Sequence, residues 1–432
     1  METVVLMLVL FFALIIIGVP IVFSFGITSI LYLLLESPSN LIILISRSFG
    51  SVDSFALMAI PFFVLAGDVM KEGEISRNLI RFVDLLVGKI KGGLTHVTVV
   101  ACTFFGAISG SSAATVAAIG GIMIPEMIKR GYDKRFAVAV AAASGFIGIL
   151  IPPSVPMIVY GINAQVSVAQ LFLAGIGPGV LMTVAFMLIN FMMHKRYKNG
   201  ESLPAEFALD TMAAPGSAWR AIPALIMPLI ILGGIYSGLF TPTESGAVAV
   251  VYGILVSMLV YRSMSVRMLY KIMGQSAVTS AVILIIVGLA GVFGWLITTE
   301  RVPDMVATFI TGITTNPILI LLFINIFYLI LGTFMETIAA IVITTPIILP
   351  LIKMIGMDPV HFGAVLVTNL CVGLITPPMA LNLLIASRIG KVSVLSVVKP
   401  LTPYLIASVI VLFLVTFIPE ISLFLPKLLL NR

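Results

Sequence analysis

Ile149-Leu150-Ile151-Pro152-Pro153-Ser154 and Leu374-Ile375-Thr376-Pro377-Pro378-Met379 are the two stretches of this sequence that decide its fold. Each proline pair interrupts a long apolar run. Because proline lacks an N–H group and its ring clashes with the preceding turn, each pair ends helical hydrogen bonding and frees carbonyl groups upstream. We therefore predict two broken helices, one in each half of the chain.

The two proline pairs lie 225 residues apart, and other landmarks repeat at nearly the same spacing. Pro125 corresponds to Pro350, each ending an apolar run, and the stretch 110–114 corresponds to 335–339. Each half thus has an apolar segment interrupted by small and polar residues, then a proline-ended run, then a Pro-Pro break. This order predicts an internal repeat, and paired interrupted segments are typical of transporter binding sites.

The composition indicates an all-α polytopic membrane protein. Of the 432 residues, 60% are hydrophobic and 10% are charged, with a mean hydropathy of +1.22. A soluble domain needs far more surface charge, and several apolar runs approach the roughly 20 residues that cross a bilayer. The net charge of +6 comes from basic residues in short loops, as the positive-inside rule expects, so we exclude nucleic-acid binding.

The positive-inside rule also orients the chain. It places the N-terminus outside, and the first repeat unit then enters from the inside and the second from the outside. We therefore predict two inverted repeats, each with a re-entrant helical hairpin and a Pro-Pro-broken transmembrane helix. The boundaries are 1–200 for the first repeat (hairpin 94–130, broken helix 135–164), 201–218 for a polar linker, and 219–432 for the second (hairpin 317–353, broken helix 361–388).

Hydroxyl groups and freed carbonyls are the chemistry that these segments offer. The hairpin tips, Ser109–Ser112 and Thr333–Thr337, contain no lysine or arginine. Together with carbonyls freed at the breaks, their oxygens suit a hard monovalent cation such as sodium. Each tip precedes a helix N-terminus, whose free N–H groups favour a carboxylate ligand. Taken singly, such residues are more often packing faces, kinks or hydroxyls bonded to their own helix.

Three acidic residues receive separate interpretations. Glu336 is either a functional ionisable group inside the membrane or a helix cap, and the sequence leaves both open. Glu244, after Thr241-Pro242-Thr243, is predicted to be an ordinary helix-start residue, and Asp68 a solvated residue near a cytoplasmic end. We find neither a Ser-His-Asp or two-carboxylate arrangement nor a phosphate-binding glycine loop in the sequence, so we predict that the protein is not an enzyme.

These motifs resemble the large membrane subunit of tripartite ATP-independent periplasmic (TRAP) transporters, the DctM-like family. The resemblance covers essentially the whole chain, including Gly18-Val19-Pro20 near its start. The stretches that carry it are Phe105–Thr115, Ile151–Ser154, Gly332–Ala340 and Gly373–Pro378.

The resemblance implies an elevator transporter of the bacterial inner membrane, in which a domain with both hairpins moves against a fixed scaffold. It implies sodium as the coupling ion, no other cofactor, a separate small four-helix membrane subunit, a periplasmic substrate-binding protein and an organic-acid substrate such as a dicarboxylate or sugar acid. One implied sodium site involves Ser111, Ser112, Pro153 and Val155; the other involves Thr337, Thr376 and Met379. Carboxylate contacts are expected from Ser109, Gly110, Ser112, Thr333, Glu336, Thr337 and Asn382.

Two other functions stay open from the sequence. The first is a stand-alone ion-coupled dicarboxylate or anion transporter of the same architecture, and the second is a membrane scaffold without transport. Two basic residues also receive interpretations. Arg388 either contacts an anionic substrate or extends to the cytoplasm, and Arg301 could meet an acidic patch of a binding protein.

Overall fold

The computed structural model describes residues 2–36, 41–197 and 217–430, with side chains from 5–36, 41–197 and 221–430. This part of the chain is helical and contains no β-strand. Seven of its helices are long and apolar enough to cross a membrane, or up to nine if each bent pair counts as one span. The prediction of an all-α polytopic membrane protein is confirmed. The predicted linker 201–218 lies outside the described residues except for its last two positions.

The first half of the chain contains twelve α-helices within its described residues. In order they are α1 (Glu2–Ile16), α2 (Ile21–Glu36), α3 (Leu41–Val52), α4 (Ala59–Glu72), α5 (Ile75–Val87), α6 (Gly93–Ser109), α7 (Ser112–Thr115), α8 (Gly121–Lys129), α9 (Lys134–Gly145), α10 (Ile147–Leu150), α11 (Val155–Ala164) and α12 (Val168–Tyr197). A π-helical segment, Val116–Gly120, joins α7 to α8. The helices 134–150 and 155–164 meet at the first Pro-Pro break with a bend of 40°.

The second half contains ten α-helices within its described residues. In order they are α13 (Ser217–Tyr236), α14 (Pro242–Leu255), α15 (Val266–Thr299), α16 (Val302–Ile313), α17 (Pro317–Phe334), α18 (Thr337–Met354), α19 (Pro359–Gly373), α20 (Leu381–Gly390), α21 (Val394–Phe417) and α22 (Glu420–Leu429). The predicted second hairpin consists of α17 and α18, and the predicted first hairpin consists of α6 to α8. The second Pro-Pro break separates α19 from α20.

The helices pack into two groups. In the scaffold group, defined as α1–α4 and α13–α15, α4 packs against α14 and α15, and α15 also packs against α2 and α3. In the hairpin group, defined as α6–α12 and α17–α22, the broken helices pack across the halves: α9 on α20, and α11 on α18. The helices α5 and α16 lead from the scaffold group into each hairpin. The broken elements therefore form one body beside the scaffold.

Close glycine contacts hold each hairpin against the broken helix that follows it. A Cβ added at Gly106 would lie 2.2 Å from the Cα of Gly148, and one at Gly373 would lie 2.4 Å from the carbonyl carbon of Gly332. Real Cβ atoms do not approach backbone so closely, so these positions require glycine. Small residues thus let backbone meet backbone beside both breaks.

Glu244 begins α14 in a capping box, which confirms its interpretation as a helix-start residue. The Thr241 hydroxyl accepts from the Glu244 N–H at 3.2 Å, and the Thr241 N–H donates to the Glu244 carboxylate at 2.8 Å.

We expect Gly373→Ala to destabilise the protein by about 1–3 kcal/mol, because the added methyl group meets the backbone of Gly332. Thermal unfolding in detergent measures the loss. Gly274→Ala in α15 is the matched control, since a Cβ there meets nothing within 4 Å. Equal melting temperatures for the two variants would contradict the glycine requirement.

Candidate functional site

The first hairpin tip lies directly against the first Pro-Pro break. Gly110 ends α6 with a φ of +58°, and a Cβ at this position would lie 2.6 Å from the carbonyl oxygen of Pro153. The Val155 N–H, just beyond the break, donates to the Gly110 carbonyl at 3.4 Å. Glycine is needed here both for its left-handed backbone and for this close approach. The predicted residues Gly110, Pro153 and Val155 are thereby brought together.

Hydroxyl groups of the first tip form a chain of hydrogen bonds. The Ser109 and Thr115 hydroxyls are 3.2 Å apart, and Thr115 also donates to the Ser111 carbonyl at 2.7 Å. The Ser111 hydroxyl accepts from the Ala114 N–H at 3.3 Å, which caps the helix that follows. Oxygen atoms thus concentrate where the tip meets the break.

Ser112 joins the first tip to the second broken helix. Its hydroxyl donates to the Asn382 side-chain carbonyl at 2.7 Å, and the Asn382 amide group donates to the Ala142 carbonyl at 3.2 Å. Ser112 and Asn382 are both buried. One asparagine therefore ties the first hairpin, the first broken helix and α20 together.

The second tip is capped by a carboxylate. Glu336 accepts from the N–H groups of Ile338 at 2.8 Å and Ala339 at 3.2 Å, so the capping interpretation of this residue is confirmed as a contact. These two N–H groups and that of Ala114 have intramolecular partners, so they are not free for a ligand in this structure, while the expected carboxylate contact at the tips stays a prediction. Side chains satisfy these N–H groups, since orphan N–H groups in an apolar setting are costly.

The other predicted residues near the second tip make local contacts. Thr333 and Thr376 donate to carbonyls of their own helices, Ile330 and Val372, each at 2.7 Å. Thr337 is buried at the start of α18, whereas Met379 is 56% exposed. The described structure has no hydrogen bond that joins Thr337, Thr376 and Met379 to one another, unlike the linked groups at the first break.

A cavity of about 520 Å³ opens between the two tips and the scaffold group. Seven of the twelve predicted site residues line it: Ser109, Gly110, Ser111, Ser112, Val155, Glu336 and Thr337. Pro153, Thr333, Thr376, Met379 and Asn382 do not line it, nor do Arg301 and Arg388. The two tips, which are far apart in the chain, thus share one chamber.

The scaffold side of the cavity was missed from the sequence. It comes from α4 and α15, including Gly67, Asp68, Val278 and Thr279. Asp68, interpreted from the sequence as a solvated residue near a cytoplasmic end, is partly exposed and borders this cavity. Its carboxylate lines the cavity and accepts a hydrogen bond of 2.6 Å from the buried Ser276. An ionisable residue inside the apolar run Ala59–Met70 is the signal that could have identified it.

The donor set of the first tip suits a small hard cation. The Pro153 carbonyl and several hydroxyl oxygens converge there, and oxygen ligands are what such ions prefer. The described residues contain no group of three or more His, Cys, Asp or Glu side chains that could hold a metal ion. The ligands available at the first tip are therefore neutral oxygens.

Comparison with known proteins places the chain in a family. Residues 8–421 match the family model of the tripartite ATP-independent periplasmic transporter, DctM component. The chain belongs to this family. As a DctM component it is a subunit of a transporter and not an enzyme, and it is a multi-pass protein of the bacterial inner membrane.

Three similar proteins illustrate the range of the DctM family. The isethionate TRAP transporter permease protein DctMQ of Oleidesulfovibrio alaskensis is 41% identical over 415 residues, which are 96% of this chain and 65% of that protein. The C4-dicarboxylate TRAP transporter large permease protein DctM of Pseudomonas aeruginosa is 40% identical, over 94% of each chain. The sialic acid TRAP transporter large permease protein SiaM of Vibrio cholerae is 36% identical, over 96% of each.

Two solved structures share the fold of this DctM-family chain. The Alcanivorax borkumensis YdaH transporter matches with a TM-score of 0.65 at 16% identity, covering 90% of this chain and 91% of that one. Neisseria gonorrhoeae MtrF matches with a TM-score of 0.60 at 18% identity, covering 89% and 86%. At such low identity these matches describe the fold alone.

We expect Ser112→Ala and Asn382→Ala to be energetically coupled by about 0.5–3 kcal/mol, because each removes the same buried hydrogen bond. A double-mutant cycle on thermal unfolding measures the coupling. Ser112→Ala combined with Thr311→Ala, whose hydroxyl bonds only to its own helix α16, should instead be additive. Additivity of the first pair would mean that this hydrogen bond does not hold the tip.

Proposed function

We propose that the chain is the large permease of a TRAP transporter that takes up an organic anion in symport with sodium by an elevator mechanism. The observation that carries this proposal is the cavity of about 520 Å³ into which both hairpin tips project. A transporter must bind its substrate at a site that can open to either side of the membrane. Paired broken helices recur as the elements that form such binding sites.

Equivalent contacts in the two halves support the inverted repeat. Ser111 and Glu336, 225 positions apart, cap the helices of the two tips, and they bond to the N–H groups of Ala114 and Ala339, which are also 225 apart. The thiol of Cys371 lies 3.8 Å from the carbonyl of Phe146, again 225 positions away. A residue that touches its own counterpart lies close to the axis that relates two repeats.

Sodium coupling is supported by the chemistry of the first tip and break. Neutral carbonyl and hydroxyl oxygens are concentrated there, with the Pro153 carbonyl oriented toward Gly110. Ser111, Ser112, Pro153 and Val155 would hold one ion, and Thr337, Thr376 and Met379 the region of a second. Bound sodium supplies positive charge that compensates an anionic substrate, in a cavity where the tips contain no lysine or arginine.

A second cavity supports movement between the two helix groups. It measures about 510 Å³ and lies between the end of α4 and the segment 117–122 of the first hairpin. Ala117, Ala118 and Gly121 line one side, and Lys71 and the Arg77 guanidinium line the other. A Cβ at Gly121 would meet nothing within 4 Å, so this face borders open space. Glu72 and Glu74 line this cavity as well, and they pair with Lys71 and Arg77 at 3.4 and 3.5 Å, so these two basic side chains are compensated.

The similar proteins support a substrate class and a set of partners for this chain. The printed names of the similar proteins mention isethionate, C4-dicarboxylates and sialic acid, all of which are organic anions. We propose an organic anion, with a carboxylate as the preferred class. A periplasmic binding protein would deliver it, and a separate small membrane subunit would complete the permease.

Reconstitution tests the proposed transport. Liposomes that contain this chain and a small subunit, supplied with a binding protein, should accumulate succinate, isethionate or N-acetylneuraminate when sodium is higher outside. Replacing sodium with potassium should reduce uptake at least about tenfold, because a site that fits sodium does not bind the larger potassium ion and the anion is left uncompensated. Full uptake without any binding protein would instead support a stand-alone anion transporter.

Cross-linking tests the elevator. Gly294 in α15 and Pro346 in α18 face each other across the two helix groups, since a Cβ at Gly294 would lie 3.7 Å from the Cγ of Pro346. In Gly294→Cys with Pro346→Cys, oxidation should lower uptake at least about tenfold, and reduction should restore it, because a disulfide fixes the distance between the groups. The native Cys102 and Cys371 are buried, and the two single variants provide the controls. Unchanged uptake in fully cross-linked protein would rule out sliding at this contact.

A further inference from the structure

Asp68 is an acidic group on the scaffold wall that faces the substrate chamber. It lies on α4 next to Gly67, where an added Cβ would be 3.1 Å from the Cβ of Ser109 in the first tip. Both Asp68 and Ser109 line the cavity of about 520 Å³. The carboxylate therefore stands on the scaffold side of the chamber, beside the part of the hairpin group that carries the tip.

The charge of Asp68 has no cationic partner among the described residues. The hydrogen bond from Ser276 is neutral, and Lys71, one turn further along α4, pairs with Glu72 at 3.4 Å instead. Around Asp68 the cavity wall is largely apolar, with Val64, Val278 and Val282. Asp68 is partly exposed to the cavity, so its charge acts on whatever occupies the cavity.

A carboxylate at this place is unfavourable for an anionic cargo by itself. The first tip has no ionisable side chain. A bare anion in the chamber would therefore meet the Asp68 carboxylate with no cationic group of that tip to offset it. An anion accompanied by cations would not, because the cations cancel or reverse the charge of the load.

We propose that Asp68 is an electrostatic checkpoint that enforces ion coupling. It opposes passage of the hairpin group past the scaffold while the chamber holds an anion without its cations, and it permits passage of the fully loaded carrier. This proposal rests on the sodium-coupled elevator proposed above. Asp68 is then a coupling residue of the fixed wall, and it does not move with the substrate.

A structural role would predict something different. If Asp68 served only to accept the hydrogen bond of Ser276 and so to hold α4 against α15, then losing the bond and losing the charge would have similar effects. The checkpoint depends on the charge alone. Variants that separate charge from hydrogen bonding therefore distinguish the two roles.

The test uses the full permease in liposomes and whichever of succinate, isethionate and N-acetylneuraminate the unaltered protein transports. The measured quantity is the ratio of uptake with sodium to uptake with potassium. In Asp68→Asn this ratio should fall about tenfold, through faster sodium-independent uptake, because the repulsion of the bare anion is removed. Asp68→Glu keeps the charge and should keep the ratio. Asp84→Asn in α5, which removes an equal charge outside both cavities, should also keep it.

A variant that adds charge covers the case in which Asp68→Asn does not fold, as judged by size-exclusion chromatography. Thr279 lines the same wall one turn from Ser276, and Thr279→Asp should raise the sodium concentration needed for half-maximal uptake. An unchanged ratio in folded Asp68→Asn, or an unchanged sodium requirement in Thr279→Asp, overturns the checkpoint. Loss of uptake at every sodium concentration in folded Asp68→Asn also overturns it, since Asp68 would then belong to the binding site.

The proposed function and the checkpoint fail in distinguishable ways. If the unaltered protein shows equal uptake with sodium and potassium, the sodium-coupled function itself is wrong and the checkpoint falls with it. If the unaltered protein is coupled and Asp68→Asn is coupled equally, only the checkpoint is wrong.

Discussion

Backbone groups that are freed at membrane depth must find partners, and the rest of this structure depends on how they do so. At the first break the Val155 N–H reaches the carbonyl of Gly110, and at the second the Asn382 N–H reaches the carbonyl of Leu374. The tips solve the same problem with the side chains of Ser111 and Glu336. Breaks and tips therefore stabilise each other, and the chamber forms where they meet.

The two tips cap their backbone N–H groups with different side chains, so the two ends of the chamber differ in polarity. A neutral hydroxyl caps the first tip, whereas a carboxylate caps the second. An anionic group of a substrate is therefore repelled less near the first tip, and a cation or hydrogen-bond donor is favoured near the second. The two tips are built alike, but one offers the substrate a hydroxyl group and the other a carboxyl group.

The sequence predicted the broken elements well because residue type alone encodes them. Proline pairs and glycine–serine clusters interrupt a helix in any context, so the breaks at Pro152-Pro153 and Pro377-Pro378 could be located without a structure. Asp68 and Thr279 could not be assigned to the site in this way, because α4 and α15 reach the cavity only through tertiary packing. Its position near a basic cluster suggested a solvated Asp68, and the residue is partly exposed, but only the packed structure shows that it faces this cavity.

A chamber with one wall on each helix group has a consequence for selectivity. In the proposed elevator, contacts made by the tips accompany the substrate, whereas contacts made by α4 and α15 are available only in some positions of the hairpin group. Binding strength can therefore be set by Ser112 and its partner Asn382, which belong to the same group. The barrier to movement is set separately, by groups such as Asp68 that the load must pass. Affinity and coupling thus reside on different surfaces and can change independently.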